Sequence, residues 1–359
     1  MYDSDTTTVI STLQGSSAAV FSDKTIANIL ALTTTADDSI IKIDNSPTIA
    51  PNGQVTFTSG TELGFVEVTD DGTALIIDGG TSTIILGGTG SANVQLGAPT
   101  DTVVSGNTGA SAAPAAASAE GVTDRVVIHS AGADKFTVND GKNNLIVVGG
   151  DDTVIAGSGY DTVVAAEGHS TIVGGSKGQT VVEAAGNEDD YVVTVVDGRA
   201  VAVNNTNGIG IDVSKVQYVQ VDDGNALIFA ENVNEASVAT LYETIFGRAA
   251  DASGLQFWFD KIDAGTGLTE IAKAFMGSAE YLAQEQIDNT AFLESMYQNT
   301  FGRAGEEAGI TWWLDAMERG VTRADVANVF ASTAAYNLDG TLNNEANIVG
   351  SITIVDGIV

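Results

Sequence analysis

Residues 132–182 read GADKFTVND GKNNLIVVG GDDTVIAGS GYDTVVAAE GHSTIVGGS KGQTVV, and Gly132, Gly141, Gly150, Gly159 and Gly168 lead successive units of nine residues. Four residues after each glycine stands a large apolar side chain. The series Val127, Phe136, Leu145, Val154, Val163, Ile172 and Val181 runs one unit beyond the glycines at each end. Glycine permits the positive φ of a tight turn, and the β-branched run that follows makes a short strand with alternate side chains buried. A unit of one turn and one strand cannot bury its own apolar face, so it stacks on its neighbours as a parallel β-solenoid or β-roll.

Working outward, Val66, Leu75, Ile84, Val94 and Val103 repeat at nine or ten residues, with Gly72, Gly80 and Gly90 preceding three of them. This places a first solenoid segment at 61–104 and the nonapeptide roll at 122–188. Between them Ser105–Gly121, SGNTGASAAPAAASAEG, is too small and flexible to pack a layer and reads as an insertion or linker over 105–121. Residues 1–60 form a mixed region, with a helix expected over Ser17–Leu32 and strands over Ser39–Ile43 and Gln54–Thr58. Downstream, YVVTVVDGRAVAV (Tyr191–Val203) has two apolar runs around Asp197-Gly198, a strong hairpin signal. A module over 189–232 is expected to cap the last rung, whose unpaired edge would otherwise aggregate.

From about Ala236 the period lengthens to that of a helix and a second repeat appears, fifty-five residues long. Tyr242, Phe246, Gly247, Arg248, Gly254, Trp258, Phe275 and Tyr281 recur as Tyr297, Phe301, Gly302, Arg303, Gly309, Trp313, Phe330 and Tyr336. Each copy predicts a helix ending at Phe-Gly, a second carrying the Trp, and a third around Ile271–Leu282 or Val326–Tyr336. Phe246, Trp258, Phe275 and their mates read as core, with an aromatic carbohydrate platform as the alternative. Arg248 and Arg303 either pair with a carboxylate in their own domain or clasp an acidic partner subunit or a surface glycan, and are candidate assembly contacts. The expected fold class is therefore multidomain β + α: a parallel β-solenoid or β-roll with a β-hairpin cap, then an all-α domain of two repeats at 236–338 and a tail at 339–359.

The composition narrows the function. The chain has 359 residues, a formal net charge of −33, no cysteine, and 43% hydrophobic residues. That hydrophobic fraction suits a folded chain. Fourteen scattered Lys and Arg give no basic stripe for nucleic acid. The carboxylate excess repels itself unless salt or a divalent cation screens it. No stretch approaches the apolar length of a membrane-spanning helix. Met1–Leu13, MYDSDTTTVISTL, carries acids where a cleaved signal peptide would carry bases.

Ala156–Val164, AGSGYDTVV, resembles the calcium-binding nonapeptide GGxGxDxUx of the RTX secreted proteins at every specified position except the first glycine; Val147–Ile155, VVGGDDTVI, lacks the first two. In that family turn carbonyls and the sixth-position aspartate hold Ca²⁺ between stacked turns. Carried over residue by residue, the resemblance implies Ca²⁺ at Asp134, Asp152 and Asp161, with Gly150, Gly159 and Asn143 in the same turns. With two units per turn, one stack is Asp134, Asp152, Ser170 and Glu188, and the other Arg125, Asn143, Asp161 and Gln179. Only Asp134 and Asp152 make an adjacent carboxylate pair, a departure from the family pattern that leaves open a roll held by packing with aspartates as turn formers. The tandem motif resembles a helical domain family of undefined function common in surface-layer and type I-secreted proteins. By that resemblance the C-terminal GSITIVDGIV is a type I secretion signal, or else a final docked strand, and the expected location is extracellular or cell-surface.

No catalytic constellation emerges from the sequence. His129 and His169 lie forty residues apart without an HExxH, the GxSxG match at 174–178 (GGSKG) falls in a glycine turn of the repeat and forms no strand-to-helix elbow, and the Gly-rich turns have no P-loop lysine. The expectation is a non-enzymatic, calcium-assisted structural protein that assembles with copies of itself as a surface layer or biofilm-matrix filament. The alternatives are a calcium-dependent adhesin for a cell-surface polysaccharide and a secreted hydrolase with its site in the N-terminal region.

Overall fold

The computed structural model of the chain describes residues 2–15, 21–33, 40–77, 81, 83–88, 90–97, 123–129, 132–175, 178–197, 199–230, 232–284, 287–335 and 352–355. The chain divides into two compact units, Met1–Gly186 with Asp190–Val216, and Asn187–Asp189 with Gln217–Val359. The N-terminal part is built on two large, parallel-rich mixed sheets, and the C-terminal part is helical.

The first unit opens with β1 (Tyr2–Asp5), α1 (Thr6–Gln14), α2 (Asp23–Thr33), β2 (Ile40–Asp44), β3 (Thr48–Ile49) and β4 (Gln54–Thr56). There follow β5 (Leu63–Val68), β6 (Thr73–Ile77), β7 (Thr83–Gly88), β8 (Ala92–Leu96), β9 (Arg125–His129) and β10 (Lys135–Val138). The run ends with β11 (Asn144–Gly149), β12 (Thr153–Ile155), β13 (Tyr160–Glu167), β14 (His169–Val173) and β15 (Gln179–Ala184). From β4 to β15 successive strands enter the two sheets alternately. One sheet runs β1-β2-β5-β7-β9-β11-β13-β15 and the other runs β14-β12-β10-β8-β6-β4-β3. From β5 to β15 every neighbour pair within a sheet is parallel. The segment read as an insertion, 105–121, lies outside the described residues, yet β7 still pairs with β9 and β8 with β10 across it.

The two sheets do not keep one period. In the second, Lys135 is level with Thr153 and Thr153 with Thr171, so Asp134, Asp152 and Ser170 stack at intervals of eighteen. In the first, Arg125 is level with Asn144, Asn144 with Asp161 and Asp161 with Thr180, intervals of nineteen, seventeen and nineteen. A one-residue slip sends a strand's side chains to the opposite face. Thus Ile146, rather than Leu145, is level with Val127 and Val163, and Val182 rather than Val181 continues that column. Leu145 and Val147 pack instead with Val9, Leu13, Ile26 and Ile29, so the N-terminal helices cover this sheet's other face. Covered on both sides, β9 and β11 are buried along their whole length, which is why they read as unbroken apolar runs. The N-terminal sequence predicts one helix over Ser17–Leu32; α2 occupies its C-terminal part and α1 forms from a Thr-rich stretch capped by Asp5, which accepts the Thr8 N–H at 2.9 Å.

Glycine serves two ends in the turns. Gly132 and Gly168 have φ of +112° and +73°, whereas Gly150 is required by close approach, since a Cβ there would sit 2.4 Å from the Gly132 carbonyl oxygen. Beyond β15 the parallel order ends. β16 (Tyr191–Val196) and β17 (Arg199–Asn204) form the predicted antiparallel hairpin, with Asp197 at φ +51°, and β18 (Gly210–Ser214) joins β17 antiparallel and β14 parallel.

In the second unit β19 (Tyr218–Val221) and β20 (Ala226–Phe229) are antiparallel. The helices are α3 (Val233–Phe246), α4 (Ala252–Asp263), α5 (Leu268–Met276), α6 (Ala279–Ala283), α7 (Asn289–Phe301), α8 (Glu307–Glu318) and α9 (Arg323–Ala335). The tail contributes β21 (Ile352–Val355), parallel to β20. Each Phe-Gly ends its helix with glycine in the left-handed region, Gly247 at φ 65° and Gly302 at φ 62°. The third helix is continuous in the second copy but broken in the first, where Gly277 stops α5 and the Ser278 hydroxyl accepts the Tyr281 N–H to start α6. Rings of Tyr242, Phe246, Trp258 and Phe275 cluster at 4.6–6.0 Å, and Tyr297, Phe301, Trp313 and Phe330 repeat the arrangement. Phe275 and Phe330 are buried, while Phe246, Trp258 and their mates are half-buried.

Candidate functional site

The alternation of strands gathers the sixth-position residues at the turns. At one set of turns lie Arg125, Asn143, Asn144 and Asp161. Asp161, 1% exposed, accepts the Asn144 N–H at 3.1 Å, the Asn144 Nδ2 at 2.7 Å and the Gly157 N–H at 2.8 Å. Burial holds its carboxyl above the usual carboxylate range despite these hydrogen bonds. Asn143 Oδ1 accepts the Tyr160 N–H at 2.9 Å, and the Asn143 N–H donates to Asp124 Oδ2 at 2.9 Å. Buried Arg125 donates to Asp140 Oδ2 at 2.7 Å and to Asn144 Oδ1 at 3.2 Å. Because of the slip, Asn144 rather than Asn143 lies level with Asp161. Gly159 marks a backbone contact, where a Cβ would stand 2.2 Å from the Lys142 carbonyl oxygen.

The same device recurs along the first unit. Asp44 accepts the Thr58 N–H at 2.8 Å, Asp71 the Ser91 N–H at 3.0 Å and Asp151 the His169 N–H at 3.1 Å. Carboxylates lace one turn to another by accepting backbone N–H groups that the turns would otherwise leave without partners. A Ca²⁺ site needs six to eight oxygens with lone pairs free. Asp161 already accepts three hydrogen bonds and Asn143 Oδ1 accepts one, so these side chains have protein partners without an ion.

At the other set of turns, Asp134, Asp152 and Ser170 form the eighteen-residue column. Asp134 Oδ1 accepts the Ala92 N–H at 2.6 Å, and Asp152 Oδ1 accepts the Asp134 N–H at 2.7 Å. The second oxygens turn toward His129 at the end of β9: Asp134 Oδ2 lies 3.0 Å from Nε2 and Asp152 Oδ2 lies 3.5 Å from Nδ1. All three side chains are at least 98% buried. Asp134 Oδ2 accepts no hydrogen bond, its approach to Nε2 lacking the alignment for one. Burial raises the Asp134 carboxyl above its usual range, and Asp152 adds to the effect. Two oxygens and an imidazole nitrogen do not make a Ca²⁺ shell. Spacing pairs Asp134 with Asp152 but misses His129, whose parity with Val127 along β9 is the signal that it shares that column's face.

Arg248 forms a two-pronged pair with Glu280, Nε and Nη2 both at 2.8 Å, while its guanidinium lies 5.7 and 5.6 Å from the Tyr242 and Phe246 rings. Arg303 repeats the ring contacts at 5.5 and 5.8 Å to Tyr297 and Phe301. The position matching Glu280 is Ala335, and among the described residues no carboxylate lies within ion-pair distance of Arg303. Phe257 and Trp312, fifty-five residues apart, are 51% and 57% exposed, each edge-on to the following tryptophan.

Residues 226–285 and 272–336 match a family described as a domain of unknown function (DUF4214), in agreement with the tandem read from the sequence. No curated protein and no solved structure matches the chain. Among the described residues, no helix is long and apolar enough to cross a membrane. The fold and site thus define a two-part chain: a parallel-rich β unit laced by acidic turns, and a helical tandem bearing this family's motif.

Proposed function

We propose that the chain is a secreted, non-enzymatic structural protein that assembles with copies of itself into an extracellular surface layer or matrix filament. In this reading the two sheets are the walls of a β-roll, one strand in each wall per rung, and the β16–β17 hairpin caps its last rung. The observation that carries the proposal is β16. This strand ends its sheet's order, so one side of its backbone faces outward, and Val192, Thr194 and Val196 are exposed along it. Val192 and Val196 are 53% and 44% exposed, and an apolar edge strand without a charged side chain is a template for pairing with another chain. At the opposite end of that sheet stands the two-residue β3, with Ile49 45% exposed. Contact between two different ends of one sheet is heterologous, and such a contact propagates as a filament where its rotation does not close a ring. Calcium enters as a counter-ion between exposed carboxylates of opposed copies, where a charge of −33 must be screened. Light scattering tests this: Val192→Lys with Val196→Lys should keep the fold and abolish assembly, and undiminished assembly of that variant would refute the role of β16.

A second reading, a glycan-binding adhesin, is favoured by Phe257 and Trp312, which expose an aromatic ring at the same position of each repeat. It requires a monomer whose polysaccharide binding is lost in Phe257→Ala with Trp312→Ala.

A further inference from the structure

The cluster of His129, Asp134 and Asp152 has a charge problem that hydrogen bonding alone does not solve. Each carboxylate gives one oxygen to a neighbouring rung's N–H, at 2.6 and 2.7 Å, and holds the other toward the same imidazole. The ligand atoms lie within 4.8 Å of one another, and the three residues are at least 98% buried. A buried ionised group is costly unless its charge is matched. Two carboxylates with an imidazolium carry a net charge of minus one; two carboxylates with a neutral imidazole and a divalent cation carry none. The Asp134 Oδ2 atom, buried and accepting no hydrogen bond, is the lone pair such a cation would take. The donor set also chooses among cations. Imidazole with carboxylate suits first-row transition ions, whereas Ca²⁺ takes an all-oxygen shell of six to eight ligands.

We propose that His129, Asp134 and Asp152 bind one divalent first-row transition-metal ion, of the Zn²⁺ class, which ties β9 to the turns that open β10 and β12. The site is independent of the assembly reading, since it lies within one chain and asks nothing of a second copy. Asp134 Oδ2 faces Nε2 and Asp152 Oδ2 faces Nδ1, so one ion takes a single ring nitrogen and a side-chain rotation brings the second carboxylate to it, while both carboxylates can keep their N–H bonds through the other oxygen.

The test uses the full chain stripped with chelator and titrated calorimetrically with Zn²⁺, alone and in a large excess of Ca²⁺. One Zn²⁺ should bind per chain, with Ca²⁺ not competing. His129→Gln and Asp152→Asn should each weaken binding about tenfold or more, as loss of a ligand does, while His169→Gln, which removes the other histidine, should leave it unchanged. Circular dichroism identifies any variant that fails to fold, and Co²⁺ added to the parent chain then supplies the second reading. Visible bands of a low-coordinate nitrogen–oxygen site support the proposal, and the pale spectrum of hexa-aquo Co²⁺ overturns it. Absence of Zn²⁺ binding, equal affinity in His129→Gln, or displacement by Ca²⁺ would likewise overturn it.

Discussion

Replacing Asp161 by alanine separates a carboxylate that laces turns together from one that ligates calcium. The side chain is 1% exposed and accepts hydrogen bonds from the Asn144 N–H, the Asn144 Nδ2 and the Gly157 N–H at 3.1, 2.7 and 2.8 Å. Asn144 Nδ2 keeps a second acceptor, the Lys142 carbonyl at 2.9 Å, so alanine orphans two backbone donors. A buried donor left without a partner costs about 1–3 kcal/mol, which applies in full to the Asn144 N–H and in part to the half-buried Gly157 N–H. Removing a buried carboxyl whose desolvation outweighs its hydrogen bonds returns part of that, giving an expected loss of about 3 kcal/mol. For a unit of this size the midpoint of thermal unfolding should fall by about 6–12 °C. Circular dichroism melts of parent and variant, each in chelator and in millimolar calcium, provide the assay. The lacing account requires the full loss in chelator. A variant as stable as the parent without calcium, and less stable only with it, would refute the reasoning.

Three other changes test the packing around this ladder. Phe136→Ala empties a fully buried position in β10 and should cost about 3–5 kcal/mol in chemical denaturation, with no dependence on calcium. Gly150→Ala places a Cβ 2.4 Å from the Gly132 carbonyl oxygen; spreading the two turns should cost about 1–3 kcal/mol, and a neutral result would show that the turns do not touch as described. The Thr58 N–H beside Asp44 holds that carboxyl below its ordinary value, so its stabilisation is present above the usual carboxylate range and lost as pH falls through the lowered pKa. Asp44→Asn should therefore flatten the acid limb of stability against pH, and an unchanged limb would assign it to other carboxylates.

Much of the chain was legible because its signals are periodic. The nine-residue glycine series gave alternating short strands, the Asp197 turn gave the β16–β17 hairpin, and the fifty-five-residue register gave matched helices with left-handed Gly247 and Gly302. What the period hid was a change of phase. Spacing places Leu145 with Val127 and Val163, but the nineteen-residue step from Arg125 to Asn144 turns Leu145 toward α1 and α2. The same slip displaces Asn143 from the Asp161 column. Helix α1 was missed because its Thr-rich sequence carries weak propensity and depends on the Asp5 cap and on packing through Val9 and Leu13. His129 was missed as a site residue because its partners arrive from strands on the opposite sheet, and single-sequence spacing does not report which turns share an edge. The break after Gly277 follows from one residue, since the matching position in the second copy is Ser332.

Self-assembly of the full chain is the central claim, and negative-stain electron microscopy with parallel light scattering tests it most directly. Purified protein in millimolar calcium should form ordered fibres or sheets, which disperse on chelation if cations screen the carboxylates between copies. A monodisperse monomer in both buffers would contradict the structural role.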